Sequence, residues 1–164
     1  MADVRLRPLR EDEWSDWRAW AITEYAGDVA RNEGITPERA RTHATKELDQ
    51  DLLPDGIRTT GHRILVAEDM DSGERIGHLW LGPRPQEPDP DPGVAWLYDI
   101  YVEEPMRGRG LGRELLRLLE IEVRTVDISR IELNVFGDNE RARQLYETAG
   151  YTEMARQMAK DLYT

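Results

Sequence analysis

The segment Arg107-Gly108-Arg109-Gly110-Leu111-Gly112 stands between two apolar patterns of different period, and it restricts the fold more than any other stretch of the chain. Before it, Trp96-Leu97-Tyr98-Asp99-Ile100-Tyr101-Val102 is aromatic and β-branched, the composition of a strand. After it, Leu111, Leu115, Leu118 and Leu119 recur at helical spacing, with Arg113, Glu114, Arg117 and Glu120 between them. A strand that feeds a glycine-rich turn opening a helix is an anion site. The first helical amides lack partners within the helix, and the macrodipole adds partial positive charge there. Glycines remove the Cβ atoms that would hold a phosphate away from those amides. Arg107 and Arg109 add full charges, so the turn reads as a pyrophosphate cradle. A nucleotide-triphosphate loop would need Lys-Ser/Thr after its last glycine, whereas Gly112 is followed by Arg113-Glu114. A dinucleotide fingerprint would need G-x-G-x-x-G, whereas Gly108, Gly110 and Gly112 are spaced by two.

The pattern that is met is Arg-x-x-Gly-x-Gly, with Arg107, Gly110 and Gly112. It resembles the coenzyme A loop of the GNAT N-acetyltransferase superfamily. A second block agrees. Ile131-Glu132-Leu133-Asn134-Val135-Phe136 alternates like a strand, and Gly137-Asp138 breaks it. Asn139, Ala142, Leu145, Tyr146, Gly150 and Tyr151 then fill Asn-x-x-Ala-x-x-Leu-Tyr-x-x-x-Gly-Tyr, which resembles the second block of the same superfamily. Leu52-Leu53-Pro54-Asp55-Gly56 and Tyr98-Asp99-Ile100-Tyr101-Val102 add a likeness to a small bacterial, single-domain group within it.

The bounds are compatible. A chain of 164 residues has the size of one domain with one sizeable core, so a single domain over 1–164 is expected. Its 33 acidic against 22 basic residues give a net charge of −11, which argues against nucleic acid and suits a cationic acceptor. The chain has no cysteine, hence no disulfide framework, no thiolate nucleophile and no Cys-based metal site. His43, His62 and His78 show no metal-ligand spacing and read as structural or solvent-exposed. No apolar run reaches transmembrane length and Met1-Ala2-Asp3-Val4-Arg5 is no signal peptide, so a cytoplasmic protein that does not engage a membrane is expected.

Along the chain the pattern alternates between strand and helix, an α/β (α+β) class. Val4–Arg7 reads as a strand ended by Pro8. Glu11 to about Ala30 reads as a helix with Trp14, Trp17, Ala21 and Tyr25 on one face. Thr36-Pro37 is a cap and first helical position, with Ala40, Ala44 and Leu48 lining the next helix. Residues 63–68 and 75–81 read as a hairpin through Asp71-Ser72-Gly73. Residues 83–92 are half proline and must form an exposed loop. A strand over 94–102, a helix over 110–125, a strand over 129–136, a helix over 139–149 and a last strand over 151–159 complete the order. The GNAT resemblance implies a mixed central sheet of about six strands flanked by about four helices.

The resemblance also implies the chemistry: direct transfer of acetyl from acetyl-CoA to an amine, with no acyl-enzyme. Its cofactor-binding residues would be Arg107, Gly108, Arg109, Gly110, Leu111 and Gly112 in the cradle. Backbone amides around Ile100, Tyr101 and Val102 would meet the developing oxyanion. Asn139, Ala142 and Tyr146 would lie along the coenzyme, Asn139 touching it near its pantetheine or capping the helix. Tyr146 stands where the family carries its general acid, and a phenol can protonate a leaving thiolate. Asp99 is the candidate base. Strand alternation puts it on one face with Tyr101, and Tyr98 with Ile100 on the other, unless a bulge intervenes; the bland alternative is a carboxylate tying the sheet to a loop. Glu132 and Asn134 are weaker candidates. Trp14, Trp17 and Trp20 read as core packing or as an aromatic wall for an amine acceptor. The acceptor itself, small molecule or protein amine, is left open. The short segment after Tyr151 is compatible with an open site, or with one closed by the Pro-rich loop or by a second subunit in a homodimer. A non-catalytic acetyl-CoA sensor of the same fold is the alternative to an enzyme.

Overall fold

The computed structural model describes residues 3–163. Two compact units divide the chain, one ending at Asn134 and the other beginning at Val135. The first contains β1 (Val4–Pro8), α1 (Trp14–Glu33) entered through a single turn at Glu11–Glu13, and α2 (Pro37–Lys46), which widens into a π turn at Glu47–Leu52. It continues with β2 (Arg63–Asp69), β3 (Arg75–Gly82), β4 (Val94–Val102), α3 (Leu111–Arg124) and β5 (Arg130–Glu132). The second unit holds α4 (Glu140–Thr148). The five strands lie in sequence order, antiparallel through β4, with β5 parallel to β4. That last pairing requires a crossover, and α3 supplies it. The class is mixed α/β, as expected.

Local chemistry explains the elements. Thr36 accepts a hydrogen bond from the Arg39 amide and Pro37 occupies the first turn of α2, as the Thr-Pro pair implies. Gly34, left-handed at φ 64°, ends α1. Trp17, Ala21, Ile22, Ala26 and Val29 of α1 pack with Ala40, Ala44 and Leu48 on one sheet face, against Ile64, Val66 and Trp80. Alanines at the α1–α2 contact let the two backbones approach closely. The alternate strand residues Leu65, Ala67, Leu79, Leu81, Ala95 and Leu97 are buried too and face the other way. There α3 contributes Leu111, Leu115, Leu116, Leu119 and Val123. Glu68, buried, is held by Arg5 and Arg7.

Two expected strands are corrected. The strand expected over 129–136 is a ladder only at Arg130–Glu132, because β4 lies beside it only over Val94–Trp96. Alternation continues to Phe136, but a strand without a neighbour has no ladder to join. The strand expected over 151–159 does not form among the described residues. Met154, Met158 and Leu162 would share one face of such a strand, but they are 69%, 85% and 76% exposed, so no apolar burial holds the segment in a ladder. The sheet therefore has five strands where about six were expected. None of the described helices is long and apolar enough to cross a membrane.

Gly77 makes the β3–β4 contact tight. A Cβ at this position would lie 1.9 Å from the Tyr101 carbonyl oxygen, a backbone atom that can move only if the strand moves. Gly77→Ala should therefore destabilise the protein by about 1–3 kcal/mol or more, the usual cost of overpacking. Chemical denaturation checks this, and wild-type stability would contradict the close approach.

Candidate functional site

The cradle is built by the end of β4, a short turn at Glu104–Met106 and the start of α3. Gly108 and Gly110 are left-handed, with φ of 80° and 73°, a conformation that costs glycine nothing. A Cβ at either would meet no atom within 4 Å, so the surface of the turn is open. Gly110 is the N-cap of α3, and its carbonyl accepts from the Glu114 amide at 3.2 Å. The amides of Leu111, Gly112 and Arg113 precede that first bond and are available to an anion. Arg107 has a structural task as well: its Nε donates to the Val102 carbonyl (2.9 Å), and its guanidinium lies 5.2 Å from the Tyr101 ring centre. Arg109 is exposed, with Nη1 3.8 Å from the Met106 sulfur.

Beside the cradle, β4 has an open edge. Its pairing with β5 stops at Trp96 and Glu132, while its pairing with β3 continues to Val102. Among the described residues, 97–102 thus have no ladder partner on the β5 side, and this edge covers Ile100, Tyr101 and Val102. The β3–β4 register also shifts: Trp80 faces Asp99, but Leu81 faces Leu97, which leaves Tyr98 as an extra residue on β4. This bulge changes the faces read from alternation. Asp99 and Tyr101 share a side, as expected. Tyr98, expected with Ile100, turns to the same side as Asp99, because two consecutive bulge residues can point one way. Its ring stacks on Trp80 (4.5 Å between centroids), and its hydroxyl donates to the Pro83 carbonyl at 2.6 Å.

That side of the sheet is an aromatic floor. Trp17 is core, 2% exposed, and meets Trp80 edge-on at 5.4 Å. Trp14 stacks on Trp17. Trp20 packs its edge on His78 (4.4 Å) and Tyr101 (4.7 Å). The three tryptophans are therefore packing residues, and Trp20 also reaches the Asp99 neighbourhood through His78. Asp99 is held by His78, with Nε2 to Oδ2 at 2.8 Å, while its side chain stays one-third exposed. Sequence spacing does not separate His78 from His43 and His62. What singles it out is the register that sets it against Tyr101, two residues along β3 from Trp80, the partner of Asp99. Glu132 bridges Arg84 (3.0 Å) and Arg130 (2.8 Å), which commits it to ion pairs. Burial pushes the Tyr98 phenol up to about 12, with the Glu47 charge adding to the effect. Tyr25, also raised by burial, donates to Glu47 at 2.8 Å.

In the second unit, Asn139 caps α4, its side chain accepting from the Ala142 amide at 3.1 Å. Of the two roles left open for Asn139, capping is present in the fold. Tyr146 lies on α4 with its ring 5.6 Å from that of Tyr151. Asn139, Ala142 and Tyr146 thus share one short helix and its cap, while Asp99 to Gly112 form the continuous strand, turn and helix start of the first unit.

A family model described as the Acetyltransferase (GNAT) family matches residues 7–151. The N-acetyltransferase YycN of Bacillus subtilis is 30% identical over 159 residues, 97% of this chain and 99% of that protein. Its crystal structure superimposes with a TM-score of 0.88 at 28% identity, covering 99% of this chain and all of the other. A mycothiol acetyltransferase of Beutenbergia cavernae is 39% identical over 92 residues, 56% of this chain but 28% of that protein. The PaiA N-acetyltransferase of Thermoplasma acidophilum, in complex with coenzyme A, shares the fold at a TM-score of 0.69 and 16% identity, over 94% of this chain and 93% of its own.

His62 provides a test of the aromatic floor. It accepts a hydrogen bond from Trp80 Nε1 at 3.1 Å, which requires a bare Nδ1, and burial lowers its pKa from 6.5 to about 4. A histidine held neutral in the fold and protonated in the unfolded chain contributes stability that is complete above pH 6.5. That stability is lost as pH falls through the window down to about 4. The melting temperature of wild type should fall more steeply across that window than that of His62→Gln. Parallel curves would contradict the buried, neutral ring.

Proposed function

The chain belongs to the acetyltransferase (GNAT) family, and on that premise we propose that it moves an acetyl group from acetyl-CoA to a primary amine by direct attack of the nitrogen. The observation that carries this reading is the pair of left-handed glycines at the start of α3, open on their Cβ side, at the end of a β4 edge with no ladder partner among the described residues. An open turn of free amides fits a diphosphate, and an unpaired strand edge fits an extended, amide-containing arm beside it. Acetyl-CoA, when bound, supplies the activated acyl group and a thiolate leaving group.

Each residue of the site has its own task. Gly108, Arg109, Gly110, Leu111 and Gly112 hold the diphosphate, and Arg107 ties the loop to the strand and adds charge. An amide within Ile100–Val102 polarises the acetyl carbonyl, a preorganised dipole where negative charge develops. Asp99 accepts the proton from the attacking amine, since an ammonium has no lone pair to attack with. Tyr146 gives its phenolic proton to the departing sulfur. Asn139 and Ala142 present the start of α4 to the coenzyme. Relatives named as N-acetyltransferases support nitrogen as the acceptor atom. The net charge of −11 supports a cationic amine, whose encounter an acidic surface favours. The family match crosses the boundary between the two units without a break, which supports one acetyltransferase domain.

Release of free coenzyme A thiol from acetyl-CoA, measured over a panel of primary amines and polyamines, tests the reading. Amine-dependent release is expected. Binding of acetyl-CoA with no release across the panel would favour a sensor module instead. With an active amine, Tyr146→Phe should lower kcat by roughly 10²–10⁴-fold and leave acetyl-CoA affinity unchanged; full kcat would remove Tyr146 from the chemistry. Asp99→Asn should depress the rate most near neutral pH and recover part of it at high pH, where the amine arrives deprotonated. A stable variant with a wild-type pH–rate curve would remove Asp99 as the base.

A further inference from the structure

We propose that His78 is a positioning residue that fixes the orientation of the Asp99 carboxylate, an inference that rests on the reading of Asp99 as the base. His78 sits in the middle of β3 and is 1% exposed. Trp20 closes over its ring edge-on, Tyr101 stacks on it at 5.3 Å, and Trp17 stands edge-on at 6.1 Å. An imidazole sealed among aromatic rings must satisfy its two nitrogens inside the protein. Its Nε2 lies 2.8 Å from Asp99 Oδ2, and its Nδ1 lies 3.4 Å from Nη2 of Arg75.

These two partners settle the tautomer. A guanidinium has donors only, so the nitrogen facing Arg75 must be the bare one. The ring proton is therefore on Nε2 and is donated to Asp99. The charged and titratable groups around the pair are Arg75 on β3, Tyr101 on β4, Glu103 just beyond β4 at 3.5 Å from Arg75, and Arg107 over the Tyr101 ring, while α1 presents the rings of Trp17 and Trp20.

The consequence falls on Asp99. The hydrogen bond locks the side chain through Oδ2 and leaves Oδ1, which accepts no hydrogen bond from the described residues, as the atom able to take a proton from outside. Because Oδ2 is tied to a buried ring and Asp99 is one-third exposed, the carboxylate stands between the aromatic floor and the solvent side of β4.

The test reads the ring and needs no acceptor. Ring nitrogen shifts of wild-type His78 at neutral pH should show Nε2 protonated and Nδ1 bare, and Asp99→Asn should move the Nε2 resonance while leaving Nδ1 in place. With an active amine, His78→Phe, which keeps a flat ring but no donor, should lower kcat about ten- to a hundredfold with acetyl-CoA affinity unchanged, and His78→Gln, which keeps an N–H, should restore part of it. A proton on Nδ1, an Nε2 resonance indifferent to Asp99→Asn, or equal kcat in the three proteins while Asp99→Asn slows the enzyme would overturn the proposal. Should His78→Phe fail to fold, the wild-type ring shifts and the glutamine variant decide it. The ring shifts read the hydrogen bond and not turnover, so they stand or fall separately from the assignment of Asp99 as base, which the Asp99→Asn rate curve decides.

Discussion

The β3–β4 ladder carries one residue too many on β4, and the arrangement of the site depends on that extra residue, Tyr98. A strict two-residue alternation would send Tyr98 away from Asp99. The bulge turns both toward the α1 side, where Tyr98 anchors the start of the Pro-rich loop through the Pro83 carbonyl and Asp99 meets His78. The same strand loses β5 after Trp96. A strand that keeps one neighbour and drops the other exposes a row of backbone donors and acceptors without losing its rigidity. The sheet thereby holds the glycine turn and the start of α3, which come directly after β4, in a fixed place.

The proposed anion site, on a chain of net charge −11, requires the positive potential to be local. It comes from backbone dipoles at the start of α3, which no surface carboxylate can neutralise by pairing, and from Arg107 and Arg109 at the same turn. Many other basic residues are taken up in pairs, among them Arg7 with Glu13 and Glu68, Arg18 with Asp49, Arg84 with Glu132 and Arg117 with Glu114. The Arg7 partner Glu13 is held at a pKa of about 2 by that contact.

The glycine turn, the caps at Thr36 and Asn139, the hairpin over 63–81 and the helix from Leu111 are all legible in the sequence, because each rests on local rules of backbone conformation and apolar period. Membership of the family is legible in Arg107, Gly110, Gly112 and the block from Asn139 to Tyr151 for the same reason. The bulge at Tyr98 is not, since register is decided between strands and no residue type demands an extra position there. The His78–Asp99 pair is hidden with it: the two residues are 21 apart in sequence and meet only once β3 and β4 are in register. The strand expected after Tyr151 extrapolates from the family's order of elements. The spacing of Met154, Met158 and Leu162 would suit one face of a strand, and only their exposure in the fold shows that nothing covers that face.

Whether the turn from Arg107 to Gly112 is the coenzyme site is tested most directly by calorimetric titration of acetyl-CoA into wild type and Gly110→Glu, both checked for folding by their melting curves. Saturable binding by wild type and none by the variant is expected, because a side chain and a negative charge would enter the space that is open beside Gly110. Equal affinity in two folded proteins, or no binding by wild type, would contradict it.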